Sequence, residues 1–178
     1  MHWAQLLFDS TPGEWMRQTL RAMPIMEAVH IVASCATFGT VLFVDLRLLG
    51  LPDTRTPVRA VLRDVLRWTW IAFAIAALTG TCMFIANATT YVGNTTFLLK
   101  MSALALAGLN MAVFELVTMR SVADWNQDAP TPSIARASAI ASILLWAAII
   151  VLGRWTGFTK GHEFTIPQGA QPQFEYPR

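Results

Sequence analysis

The stretch PIMEAVHIVASCATFGTVLFVDLRLLG, residues 24–50, decides the fold. Between Glu27 and Asp45 it carries no Asp, Glu, Lys or Arg. A helix of about 20 apolar residues crosses the hydrocarbon core of a bilayer. Here that length is met, with the charges held towards the two ends. Pro24 suits a helix start, because its missing N–H is one that the first turn leaves unbonded. Three further stretches of the same kind follow at 68–88, 97–119 and 138–158. The second has no charged residue, the third carries Lys100 and Glu115, and the fourth carries Arg154.

The reading is an all-α integral membrane protein, an up-and-down four-helix bundle over residues 24–158. An outer interfacial segment, 1–23, precedes it, and an exposed, extended, proline-containing tail, 159–178, follows it. Composition agrees. The chain is 54% hydrophobic and 13% charged, against about 25% charged for a soluble domain. Four spans leave no room for a second folded domain. Cys35 and Cys82 both fall inside spans, so a disulfide framework is not expected. Residues 1–22 include Asp9, Pro12, Gly13 and Glu14 without a basic start before an apolar core. No cleavable leader is therefore expected, and the first span should act as the insertion signal.

Basic residues set the expected orientation. Arg47, Arg55, Arg59, Arg63 and Arg67 lie between spans one and two, and Arg120 and Arg136 between spans three and four. The loop ATTYVGNTTF, residues 88–97, has neither Lys nor Arg. The positive-inside rule puts the Arg-bearing loops in the cytoplasm and both termini outside. Arg17, Arg21, Lys160 and Arg178 fall on the outer side and weigh against this, but lie in the terminal segments. Residues 56–67 read as an amphipathic helix between the first two spans, with Thr56 as cap and Pro57 at its first position. Val58, Val61, Leu62, Val65 and Leu66 make its apolar face. Arg55, Arg59, Arg63 and Arg67 make a stripe facing anionic lipid headgroups. Residues 14–21 read as a second interfacial helix anchored by Trp15.

Each span also shows one small or polar face, as helix association in lipid requires. These faces are Glu27, His30, Ser34 and Thr37; Thr69, Phe73, Ala76, Gly80, Met83 and Asn87; Lys100, Ala107, Met111, Glu115 and Thr118, with Asn110 at the edge; and Ser138, Ser142, Leu145, Ile149 and Gly153. Ionisable groups inside a membrane need a partner or a function. Glu27, Lys100 and Arg154 fall near outer ends, where they can pair or reach water. Asp45 and Arg47 read as a pair at the inner interface. Glu115 reads either as a proton-relay carboxyl or as a partner for Arg120 or Arg47. His30 lies about 9 Å along its helix from Pro24, at the depth of Met83 and near Met26 and Cys82. Neutral imidazole with thioether or thiol can hold haem iron or copper. The plainer reading is an imidazole hydrogen-bonded to Glu27 or Ser34.

The run from Ile25 to Gly50, with Trp68-Thr-Trp70, Thr79-Gly80, Lys100, Ala107-Gly-Leu-Asn110, Trp146 and Gly153-Arg154, resembles an uncharacterised bacterial inner-membrane family known only as a domain of unknown function. The resemblance spans residues 13–158 and implies a bacterial inner-membrane location without implying an activity. At fold level alone the chain is also similar to CopD-type copper-resistance proteins and di-haem b-type cytochromes. Two bis-histidine haems need four intramembrane histidines, and the spans hold one, His30.

No hydrolase triad, P-loop or dinucleotide fingerprint is present, and the basic stripe belongs to the membrane surface rather than to nucleic acid. Three functional expectations follow. The first is a non-catalytic subunit or anchor of a membrane redox system, holding a b-type haem or quinone near His30, Met83 and Glu27. The second is outer-side copper handling through His30, Met26, Cys82 and Met83. The third is a purely structural subunit that meets other subunits through its tail. For the orientation, a reporter that is active only in the cytoplasm should be silent when fused after Arg178. Activity there reverses the topology.

Overall fold

The computed structural model describes residues 2–51, 58–114, 116 and 131–159. All secondary structure among them is helical: α1 (His2–Phe8), α2 (Thr11–Gln18), α3 (Ala22–Leu48), α4 (Val58–Ala86), α5 (Ala88–Val92), α6 (Thr95–Val113) and α7 (Ser133–Thr159). Four of these are long and apolar enough to cross a membrane: α3, the Leu62–Ala86 part of α4, α6 and α7. By length and composition the chain is a multi-pass membrane protein.

The distribution of side-chain size fits a lipid solvent. Large apolar groups face outward, among them Val32 at 70% exposure, Leu78 at 67%, Leu109 at 61% and Leu144 at 65%. The buried positions are mostly small: Ala33, Ala72, Ala76, Ala103, Ala107, Ala135 and Ala139, with Thr37, Thr69, Thr79 and Ser142. Lipid tails are as apolar as Leu, so burying Leu between helices gains little. Small residues instead let backbones approach and gain dispersion contacts. The inward faces expected for α4 and α7 are the ones that pack. On α6, Ala103 joins Ala107 as buried, while Lys100, Asn110 and Met111 are half-buried.

The most extensive pairings are α3 with α4 and α6 with α7, and α3 also packs on α7. Cross-helix contacts show both main pairs to be antiparallel. His30 meets Ala76 while Leu48 meets Leu62. Asn110 meets Ser138 while Asn94 meets Thr159. Asn94 also caps α6, its Oδ1 accepting from Phe97 N at 3.0 Å.

Several expectations change. The amphipathic segment before span two is not a separate interfacial helix: α4 runs unbroken from Val58 to Ala86. No Gly or Pro interrupts it before Gly80, and Leu62 is buried with Leu48, which draws the first turns onto α3. Arg63 and Arg67 on this segment are exposed, and Arg63 pairs with Asp64 at 3.3 Å. Arg55, Thr56, Pro57, Arg120, Glu115 and the tail from Lys160 lie outside the described residues, as does the side chain of Arg59. The helix expected at 14–21 is α2, set earlier than expected and preceded by α1, and it is docked on α4. Met16 is buried, and Arg17 Nη1 donates to Ala86 O at 3.2 Å. Trp15 is exposed. Glu27 is exposed rather than inward, because the packed face of α3 runs through Ala33 and Thr37.

At the α3–α4 contact a Cβ on Gly80 would lie 3.0 Å from His30 Cε1. Gly80→Leu should therefore force the helices apart and cost about 1–3 kcal/mol. Thermal melting of purified protein checks this, and an unchanged midpoint would contradict the close approach.

Candidate functional site

Between α3, α4, α6 and α7, at the Leu48/Leu62 end, lies a cavity of about 270 Å³. Its walls are almost entirely apolar: Val41, Val44 and Leu48 from α3, Leu66, Trp70 and Phe73 from α4, Leu104 and Met111 from α6, and Trp146 from α7. Gly108 also lines it, and at that position a Cβ would meet no atom within 4 Å. Ligand pockets have this character, a mostly apolar lining with a few placed polar groups.

The polar points are Asp45, Thr69, Asn110 and Ser138. Three of them are engaged within the protein. Thr69 Oγ1 donates to Val65 O at 3.1 Å, one turn back on its own helix. Asn110 and Ser138 bond reciprocally: Nδ2 donates to Ser138 O at 3.0 Å, and Ser138 Oγ donates to Asn110 Oδ1 at 3.0 Å. Asp45 differs. Its side chain is only 5% exposed, with Ser142 of α7 as a side-chain hydrogen-bonding neighbour. Its Oδ2 has no hydrogen-bond partner, and among the described residues it is the one buried side-chain N or O atom so placed. A buried polar atom without a partner costs about 1–3 kcal/mol. Helical spacing puts it there: Val41, Asp45 and Leu48 share one face at intervals of four and three. Asp45 and Arg47 thus do not reach water as expected for the inner interface. Both are buried, Arg47 at 6% exposure, and Arg47 has an interaction of its own.

The residues expected around His30 gather only in part. His30 is half-buried, and Nδ1 sits 2.8 Å from Ala76 O and 3.2 Å from Thr79 Oγ1. A carbonyl only accepts, so Nδ1 carries the proton and donates to Ala76 O. The lone pair of the neutral ring is then on Nε2. The partners of His30 are on α4, not Glu27 or Ser34. Met26, Cys82 and Met23 pack together against buried Met16, Ala22 and Ala86. Met83 is buried on α4. Lys100 Nζ lies 5.2 Å from the Phe97 ring centroid, and exposed Arg154 lies 4.8 Å from that of Phe158. Among the described residues no three of His, Cys, Asp and Glu cluster in a way that could hold a metal ion. Asn110 is the expected polar residue that does line the cavity.

Sequence reasoning missed the cavity and the role of Asp45. The signal was there: Thr37, Val41 and Asp45 continue the inward stripe of α3 at four-residue steps, and Ser138 and Ser142 lie on the facing stripe of α7.

A family model described as a family of unknown function (DUF6644) matches residues 15–159, and the chain belongs to that family. No curated protein and no solved structure matches the chain.

The unpartnered carboxyl makes a stability prediction. Asp45→Leu removes the orphaned oxygen and fills apolar space, so it should raise the melting midpoint of the ligand-free protein, by about 1–3 kcal/mol in stability. A lowered midpoint would show that Asp45 is needed for packing.

Proposed function

We propose that this family member is a multi-pass protein of the bacterial inner membrane, an up-and-down four-helix bundle with both termini outside. Its role is to hold a lipid-soluble, ring-bearing molecule in the pocket at Asp45, as the non-catalytic subunit of a membrane redox system. The observation that carries this reading is an apolar cavity among large aromatic side chains, lined in part by Asp45, whose buried Oδ2 has no hydrogen-bond partner. Ionisable groups within spans are expensive and mark function by default. A carboxyl oxygen without a partner, on a residue that lines a cavity, supports a ligand that completes its hydrogen bonding after a small local adjustment.

The quinone class fits better than haem. The cavity, about 270 Å³ and without a histidine in its lining, suits one ring rather than a macrocycle needing an axial ligand. A quinone reaches such a pocket through the bilayer, with its tail left among the lipid chains. In the proposed orientation the pocket lies in the cytoplasmic half, beside the exposed arginines of α4, which meet anionic headgroups.

One observation favours the copper reading as second. Met16, Met23, Met26 and Cys82 pack around the same small residues, and soft sulfur ligands select copper(I). Metal analysis after copper(I) loading separates it from the first. Stoichiometric metal lost in Cys82→Ser would support copper.

The pocket is tested by a plug. Gly108→Phe puts a ring into the open space at the cavity wall and replaces a residue that disfavours helix, so the fold should persist. A short-tailed benzoquinone should bind saturably to wild-type protein in nanodiscs, and the plugged variant should bind about tenfold or more weakly. Equal binding by the two proteins would remove the pocket from the account.

A further inference from the structure

We infer that the pocket opens sideways into the bilayer, through a mouth between α4 and α6 whose lips are Trp70 and Gly108. Its ligand is then a chain-bearing amphiphile that enters from the lipid phase and leaves its chain in that mouth. This rests on the pocket reading above and adds the ligand's class and route.

Helix order makes the mouth. The extensive pairings run α4–α3–α7–α6. α4 and α6 stand at the two ends of that series and form no extensive pair with each other among the described residues. Both nevertheless line the cavity, α4 through Leu66, Trp70 and Phe73, and α6 through Leu104, Gly108 and Met111. Two walls that face one void without packing together leave a gap in it.

Exposure locates the gap. Of the residues lining the cavity, the exposed ones are Trp70, at 50%, and Gly108, while those from α3 and α7 are buried or half-buried. Gly108 has no side chain, and a Cβ there would meet no atom within 4 Å. Across from it, the Trp70 ring stands edge-on to Phe73, with centroids 6.1 Å apart and planes at 87°. That contact holds the indole at the lip.

Depth decides what the gap opens onto. At the rise of an α-helix, Trp70 lies about 24 Å from the Ala86 end of α4, and Gly108 about 20 Å from the Thr95 end of α6. The short helix α5 joins these two ends, so the lips share one level. That level falls within a hydrocarbon core about 30 Å thick. The exposed neighbours of the lips are apolar too: Ile71, Leu106 and Leu109. At the near end of the bundle, by contrast, Leu48, Leu62 and Phe114 form a buried apolar cluster with Ala135 and Ala139. Water meets a sealed end, and lipid meets an open side. Size then divides the ligand. A cavity of about 270 Å³ takes one ring, so a long chain attached to that ring lies outside. The mouth keeps the chain in the apolar medium it favours.

The test puts a photoreactive side chain at the lip. Trp70→p-benzoylphenylalanine is made in the full chain, in phosphatidylcholine nanodiscs, and its adducts are read by mass spectrometry. The same substitution at Leu144, an exposed position of α7 outside the cavity lining, is the lipid-facing control. Without ligand, both positions should give acyl-chain adducts. A decyl-tailed benzoquinone at about ten times its Kd should lower the lipid adduct at Trp70 about threefold or more, with a quinone adduct in its place. The adduct at Leu144 should not change. Should the Trp70 variant melt early, the same probe at Leu104, on the α6 wall, gives the equivalent readout. Absence of lipid adducts at the lip, or lipid adducts that persist while the quinone binds saturably, would overturn the lateral mouth and leave the pocket standing. No saturable binding to wild type would remove the pocket reading, and the route with it.

Discussion

The whole arrangement depends on how helices hold together where the solvent is hydrocarbon. Apolar burial gives little drive there, so close backbone approach and a few interhelix polar contacts take its place. The chain supplies both. Alanines and threonines occupy the contacts, and Gly80 lets the His30 ring lie against α4 with Nδ1 bonded to Ala76 O. Asn110 and Ser138 make the equivalent tie between α6 and α7. These two ties lie in different pairs, and α3 meets α7 through Leu48, Ala135 and Ala139.

That design makes the cavity informative. At the Leu48/Leu62 end Ala135 and Ala139 pack closely, yet beside them Trp70, Phe73, Met111 and Trp146 line a cavity. Close-packed interiors keep few such voids. The same place holds the carboxyl whose second oxygen has no partner. A void and an orphaned acceptor are each destabilising, and the ligand proposed for this pocket would relieve both. Such conflicts between local rules and global stability concentrate where proteins function.

The four long helices were legible in the sequence because length and hydropathy fix them, and the packed faces of α4 and α7 followed from small-residue spacing. The docking of α2 was less legible, since Met16 and Arg17 find their partners near Ala86, some seventy positions away, and periodicity does not report such pairings. The continuity of α4 was misread because Thr56 and Pro57 look like a helix start in their own right. The cavity at Asp45 was missed for a similar reason. His30 drew the reading as the lone histidine in a span, and counting from the span end put Asp45 at the interface. Depth counted along one helix ignores cover from neighbours. Residues of α4, α6 and α7 close over Asp45, and their convergence is a tertiary fact.

The central claim is that Asp45 directly contacts a lipid-soluble ligand in the hydrocarbon. Infrared difference spectroscopy of the protein in nanodiscs, with and without the short-tailed benzoquinone, reads that contact at the carboxyl itself. Comparison with Asp45→Asn assigns the band. The account predicts a carboxyl band that shifts on ligand addition and is missing from the variant. Ligand binding with no response from Asp45 would contradict it.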